Sequence, residues 1–192
     1  MNFLLVFLCS YIIGSIPFGF IIAKKRGVDI RNLGSGNIGA TNIFRSVGKK
    51  EGLVVLILDM LKGACAVFLT SIFIPQALFI SLVATVLGHD FSILLKFKGG
   101  KGVATTYGAS LVAVPLAAVI GLLLWIAIFL LSRFSSLSAL ISYTATSILV
   151  WFFYPATIII NYTIVFLWAL MCFKHIPNIK RLAIKEEKRL QP

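Results

Sequence analysis

Charge is scarce in this 192-residue chain, and acid scarcest of all: Asp and Glu together number six against eighteen Lys and Arg, and charged residues make up 12%. A soluble domain carries about 25% charged residues and under half apolar ones. Here 59% are hydrophobic and the mean hydropathy is +1.01. That balance excludes a soluble globular protein and a disordered chain. Three cysteines cannot build a disulfide framework. Cys9, Cys65 and Cys172 lie in apolar stretches, where cysteine acts as a small hydrophobe. Neither a metal nor a cofactor is expected. There is no internal repeat and no linker. What remains is an all-α, polytopic membrane protein forming a single domain over residues 1–192. Its net charge of +12 belongs on one face of the bilayer, with no nucleic acid as partner.

A bilayer core of about 30 Å needs roughly 20 apolar residues at 1.5 Å each. Residues 3–23, 52–74 and 77–95 meet that requirement. The first lacks the preceding positive charge of a signal peptide and is followed by Lys24, Lys25 and Arg26, so it reads as a retained helix with its N-terminus outside. Cytoplasmic loops carry the excess of Lys and Arg, which puts loop 24–51 and the segment around Lys96, Lys98 and Lys101 inside. Read as one span, residues 102–132 would strand Arg133 and the basic tail 174–192 on the outer face. Pro115 disfavours helix continuation. A split there gives helices 102–114 and 116–132, followed by 137–153 and 156–173. The expectation is seven transmembrane helices, N-terminus outside and C-terminus cytoplasmic, with every Lys and Arg except Lys62 inside. The helix over 102–114 is only about 20 Å long and needs a thinned or protein-lined location.

The unusual polar residues gather in three cytoplasmic clusters. The first is GSGNIGATNIFR at 34–45. Its Gly34-x-Gly36-x-x-Gly39 spacing, with Asp59 downstream, mimics a dinucleotide fingerprint. That fingerprint needs a strand before it, and here an apolar helix precedes. The glycines still permit close backbone approach and an anion nest. Ser35, Asn37, Thr41 and Asn42 add uncharged donors, and Arg45 supplies a fork suited to phosphate. The alternative is a tight connecting loop with polar caps.

The second cluster, GHDFSILLKFKGGKGVATTYG at 88–108, sets Gly99, Gly100 and Gly102 around Lys101 just before a helix start, a favourable place for an anion. It is not a Walker motif. Lipid-facing positive charge would account for Lys96, Lys98 and Lys101, but not for the glycines. His89 beside Asp90 reads as a satisfied interfacial histidine, with a metal or base site as the alternative. The third cluster runs from Lys174 to Arg181 and holds His175, whose ordinary pKa near 6.5 suits proton work. The Lys- and Arg-rich residues after it read as a solvated anchor to anionic membrane lipids. Within the membrane, Asp59 and Lys62 stand three residues apart on one helical face and are expected to form a structural pair. Ser135, Ser136 and Ser138 begin the sixth helix, where they cap it or touch a ligand.

A cytoplasmic-face anion pocket fits an enzyme joining a phosphorylated substrate to a lipid, or an anion transporter. Transporters place their binding groups near mid-membrane on broken helices, so the interfacial motifs favour the enzyme. GSGNIGATNIFR, GHDFSILLKFKGGKGVAT and the terminal His-x-x-Asn-Ile resemble the three signature segments of the bacterial membrane glycerol-3-phosphate acyltransferases that use acyl phosphate. The resemblance spans nearly the whole chain, including the early Gly14-Ser15-Ile16-Pro17 turn. It implies a seven-helix membrane fold in the bacterial cytoplasmic membrane, and transfer of a fatty acyl group from acyl phosphate to glycerol-3-phosphate. By the same resemblance Ser35, Arg45, Lys101, His175 and Asn178 are catalytic, Gly99, Gly100 and Gly102 are linked to glycerol-3-phosphate binding, and Ser136 belongs to the substrate pocket. Gly34, Gly36, Asn37, Gly39, Thr41 and Asn42 are assigned to substrate binding with them. A soluble enzyme making acyl phosphate is an implied partner. Pro177 stands where the family usually has Glu. His-x-x-x-x-Asp, the motif of acyltransferases that use thioesters, is missing, so neither acyl-CoA nor acyl-carrier protein is expected as donor.

Overall fold

The computed structural model describes residues 3–190, and among them there is no strand. Ten α-helices follow one another: α1 (Phe3–Ser15), α2 (Phe18–Lys25), α3 (Ala40–Ser46), α4 (Lys49–Phe73), α5 (Leu78–Asp90), α6 (Val103–Ala113), α7 (Pro115–Ser132), α8 (Ser135–Phe153), α9 (Ile158–Lys174) and α10 (Ile176–Ala183). By length and composition five segments can cross a membrane: Phe3–Lys25, Lys49–Phe73, Pro75–Leu95, Pro115–Ser132 and Ser135–Phe153. A sixth is Ile158–Lys174 with Ile176–Ala183, bent by 59°. At 11 residues α6 is short for a span, as its sequence implies. The chain divides into two compact units, one ending at Ala113 and the other starting at Val114.

In the first unit α1 packs along α5, and α4 packs along α6. Lipid gives apolar surface no reason to leave it, so helices associate through close backbone approach and interhelical hydrogen bonds. The sequence supplies glycine where the backbones touch. A Cβ on Gly14 would collide with the Thr85 carbonyl and one on Gly88 with that of Tyr11. Gly63 and Gly108 play the same part between α4 and α6, against the carbonyls of Thr105 and Met60. Ser10 and Ser81 are hydrogen-bonded at 2.9 Å between α1 and α5. Large apolar side chains point outward instead, Leu4 at 70% and Phe73 at 75% exposed, a surface suited to hydrocarbon rather than water.

The first span is broken. Pro17 has no N–H to continue the helix, and α1 ends at Ser15. Its freed carbonyls find side chains: Ser92 Oγ donates to Ser15 O at 2.6 Å, and Lys62 Nζ to Ile16 O at 2.8 Å. Lys62 lies about 20 Å along α4, where an uncompensated charge costs roughly 2.5–3.5 kcal/mol on insertion scales. It is paired with Asp59 Oδ1 at 2.8 Å, and both side chains are buried.

Several expected boundaries move. The helix expected through residue 95 stops at Asp90, and a 3-10 turn over Ile93–Leu95 follows. Tyr11 OH donates to the Phe91 carbonyl at 2.6 Å, so the chain turns where α1 supplies a donor. Loop 24–51 contains the short helix α3, which its polar composition concealed. Residues 102–132 do not form one helix: the chain breaks at Val114, just before Pro115.

In the second unit α8 packs against both α7 and α9. The tail is not simply a solvated charge run. It forms α10, with Pro177 in the first turn, where a missing N–H is harmless. The residues beyond fold back: Leu190 N–H donates to Arg133 O at 2.9 Å, and the Arg189 guanidinium lies 5.2 Å from the Phe134 ring centre.

Candidate functional site

The first cluster is a loop wound around one side chain. Gly34 and Gly36 have φ of 59° and 70°, a region open to glycine. Those two turns bring the loop's backbone onto Asn42, which is buried. Asn42 Oδ1 accepts the Ser35 N–H at 3.0 Å, while Nδ2 donates to Leu33 O at 3.0 Å and to Asn37 O at 2.8 Å. Asn37 Oδ1 in turn accepts the Gly39 N–H at 2.7 Å, one residue before α3 begins. Asn37 and Asn42 therefore hold the loop's own backbone. Ser35 stands exposed at the tip, Thr41 lies half-buried in the first turn of α3, and Arg45 half-buried in its last.

Just before this loop, Asp29 accepts from the Arg31 guanidinium at 2.6 Å and from the Arg31 N–H at 3.1 Å. Those bonds lower the Asp29 carboxyl to about 2.

The second cluster packs on the same local core as the first. Leu95 joins Ile30, Ile38, Ile43, Ala23 and Val55 in one buried apolar group. The glycine loop that follows rests on the end of α5. Gly100 N–H donates to His89 O at 3.0 Å. A Cβ on Gly99 would strike that same carbonyl, and one on Gly100 the His89 ring. Gly102, at φ 70°, brings the chain within 2.8 Å of Asp90 Oδ1 for an added Cβ, and α6 starts at the next residue. Lys101 is half-buried among these glycines. Thus His89 and Asp90 require the glycines, independently of any ligand.

The third cluster lies wholly in the second unit and is organised by Glu187, a residue the motif reading missed. Glu187 Oε1 accepts from Ser136 Oγ at 2.7 Å and from Asn178 Nδ2 at 2.6 Å, and Oε2 accepts from Arg181 Nε at 2.7 Å. Burial raises the Glu187 pKa, but these donors outweigh it and hold the carboxyl below the ordinary value of 4.5. Ser136 is thereby tied to Asn178, far away in sequence, and Phe134 rather than a serine stands at the α8 N-cap. His175 is buried, and its Nδ1 lies 2.8 Å from Met171 O. A carbonyl only accepts, so Nδ1 carries the hydrogen, and in the neutral ring Nε2 is the proton acceptor. Little in the sequence marks Glu187, which sits in a Lys-Glu-Glu-Lys run that reads as solvated charge. Among the described residues no three His, Cys, Asp or Glu side chains gather as a metal site.

The geometry thus groups Ser35, Asn37, Thr41, Asn42 and Arg45 in one cluster, Gly99, Gly100, Lys101 and Gly102 in a second, and Ser136, His175 and Asn178 in a third. Known proteins show the same chain plan. The family described as glycerol-3-phosphate acyltransferase matches residues 4–185. A glycerol-3-phosphate acyltransferase of Bartonella henselae is 45% identical over 97% of this chain and 90% of its own length. One of Myxococcus xanthus is 45% identical over 95% of this chain and 96% of its own. Among solved structures, PlsY (YgiH), an integral membrane glycerol 3-phosphate acyltransferase in its glycerol 3-phosphate form, superposes with a TM-score of 0.94 at 36% identity. That match covers 100% of this chain and 96% of the other. On a match of that extent, the chain belongs to the glycerol-3-phosphate acyltransferase family.

Proposed function

We propose that this chain transfers a fatty acyl group from acyl phosphate to glycerol-3-phosphate, as the first acylation of phospholipid synthesis. The observation that carries the reading is that the sequence motifs of all three polar clusters fall within the family match over residues 4–185. In the reaction the glycerol-3-phosphate hydroxyl oxygen attacks the acyl carbonyl. The bond from that carbon to the phosphate oxygen breaks, giving 1-acylglycerol-3-phosphate and free phosphate. Acyl phosphate is a mixed anhydride, so its leaving group departs readily once cations neutralise it, and no protein nucleophile is needed. Arg45, Lys101 and backbone N–H groups supply that neutralisation, while the glycines of loop 99–102 hold the phosphate of glycerol-3-phosphate. One preorganised donor of this kind is worth about 2.7–4 kcal/mol in the transition state. Ser35, at the loop tip, and Ser136 and Asn178, held by Glu187, orient the substrates. The hydroxyl proton passes to His175 Nε2 or to an oxygen of the substrate phosphate.

The reading treats residues 1–192 as one acyltransferase domain with seven crossings, N-terminus outside and C-terminus in the cytoplasm of a bacterial cell. The short helix α6 serves as the fourth crossing. The charge distribution supports this, because only then do Arg133 and the basic tail share a face with loop 24–51. The exposed Lys180, Lys185 and Lys188 would meet anionic lipid on that face, and a soluble enzyme there would deliver the acyl phosphate. Anion transport is not favoured, since the clusters lie at helix ends rather than mid-span.

Donor selectivity tests the reaction. Purified protein in detergent is given glycerol-3-phosphate with palmitoyl phosphate, then with palmitoyl-CoA. Turnover with the phosphate alone is expected; turnover with the thioester would overturn the donor assignment. The topology is tested with Ser132→Cys in a cysteine-free background. An impermeant thiol reagent should reach it only from the cytoplasmic side, and external labelling would remove the seven-crossing count.

A further inference from the structure

Lys62 is buried in α4, outside the three motifs in sequence, yet its contacts lead to one of them. An ammonium has three donors and no acceptor. Its partners here are Asp59 Oδ1, an ion-pair contact at 2.8 Å that also lies 3.6 Å from His89 Nδ1, the Ile16 carbonyl, hydrogen-bonded at 2.8 Å, and His89 Nδ1, hydrogen-bonded at 2.9 Å. These come from α4 itself, from the break between α1 and α2, and from the end of α5. To accept from Lys62, His89 must carry its ring hydrogen on Nε2, which fixes the tautomer and the ring plane. The Nε2 side of that ring is the one a Cβ on Gly100 would strike, and the His89 carbonyl receives the Gly100 N–H at 3.0 Å. His89 thus grips the loop by ring and by backbone, while Lys62 holds His89.

We propose that Lys62, acting through His89, is a positioning residue for loop 99–102 and sets how tightly that loop takes the phosphate of glycerol-3-phosphate. The proposal rests on the acyltransferase reading above. If Lys62 merely neutralised Asp59, removing both charges together would be harmless. If it orients His89, removing both still frees the ring and loosens the loop, although no unpaired charge is left in the membrane. The two roles therefore part at the paired variant Asp59→Asn/Lys62→Met.

The experiment measures KM for glycerol-3-phosphate, KM for palmitoyl phosphate and kcat, on the full chain in detergent. The paired variant is expected to raise KM for glycerol-3-phosphate at least tenfold and to change KM for palmitoyl phosphate less than twofold. A wild-type KM for glycerol-3-phosphate in the paired variant would overturn the proposal. A second measurement stands independently of whether that variant inserts. Gly100→Ala, driven against the His89 ring, should raise the same KM in the wild-type background and add nothing in a His89→Ala background, since contacting residues are not additive. Fully multiplicative effects would overturn the proposal. Failure of the unmodified protein to use acyl phosphate would instead condemn the reaction assigned above, so the two failures are distinct.

Discussion

Asn42 in the first unit and Glu187 in the second do the same work by different chemistry. Each is a side chain around which a cluster of polar groups is wound. Asn42 is a neutral amide, and its partners Leu33 O, Ser35 N and Asn37 O are backbone groups no more than nine residues away. Glu187 is a carboxylate, and its partners Ser136, Asn178 and Arg181 are side chains, one of them 51 residues distant. An amide both donates and accepts, so it can hold a loop whose N–H and C=O groups both need partners. A carboxylate only accepts, so it must gather donors, and it adds charge to every bond it makes. The first brace answers to shape and the second to charge.

Asn42 is therefore expected to tolerate no isostere. Asn42→Asp keeps the acceptor for Ser35 but loses both hydrogens, leaving the carbonyls of Leu33 and Asn37 facing a carboxylate. An unmade buried hydrogen bond costs about 1–3 kcal/mol, and two such losses correspond to a fall of roughly 100-fold or more in kcat/KM for glycerol-3-phosphate. A steady-state assay at fixed palmitoyl phosphate checks this. An Asn42→Asp enzyme within threefold of the parent would show that the loop holds its shape without the amide.

The two braces also differ in how readable they were. Asn42 sits inside GSGNIGATN, where close glycines and short polar residues mark a wound loop, and all its bonds are local in sequence. The apolar segments were legible for a similar reason: hydropathy and proline placement are local signals, and the break before Pro115 follows from one residue. Glu187 was not legible, because its meaning depends on α10 folding the tail back towards Ser136. Lys62 was half legible. Its spacing from Asp59 predicts their pairing, but its bond to His89 depends on how α4 meets α5. The amphipathic α10 was hidden by its charge, and α3 by its polar residues. Contacts between distant segments decided what local pattern did not.

A smaller effect is expected at Glu187. Glu187→Gln keeps the size and one acceptor oxygen but loses the charge on three hydrogen bonds. Charge-assisted bonds are roughly twice as strong as neutral ones, and a difference of about 1.4 kcal/mol is tenfold in rate. A fall of about tenfold in kcat/KM at neutral pH is expected, with Glu187→Ala more severe. If the glutamine variant matched the parent, charge would not be what holds Ser136 and Asn178, and the contrast with Asn42 would fail.

The smallest effect is one of pH. Burial pushes the Glu187 carboxyl up, but the donors from Asn178, Ser136 and Arg181 hold it below its ordinary 4.5. A carboxyl with a depressed folded-state pKa stabilises the fold at pH above its unfolded value, and that stability fades as pH falls through the folded value. The brace should hold unchanged from pH 8 down to 5 and weaken only below about 4.5. Hydrogen exchange of the α10 amides, corrected for the intrinsic pH dependence, reads this directly: protection should decline in acid in the parent and stay flat in Glu187→Gln. The Asn42 amide does not titrate, and Asp29, just before its loop, is lowered to about 2 chiefly by the Arg31 side chain. Protection in α3 should therefore persist through the range in which α10 loosens. Equal loss in both helices as the pH falls below 4.5 would mean that acid acts on the fold as a whole, and the division into a shape-held and a charge-held cluster would be wrong.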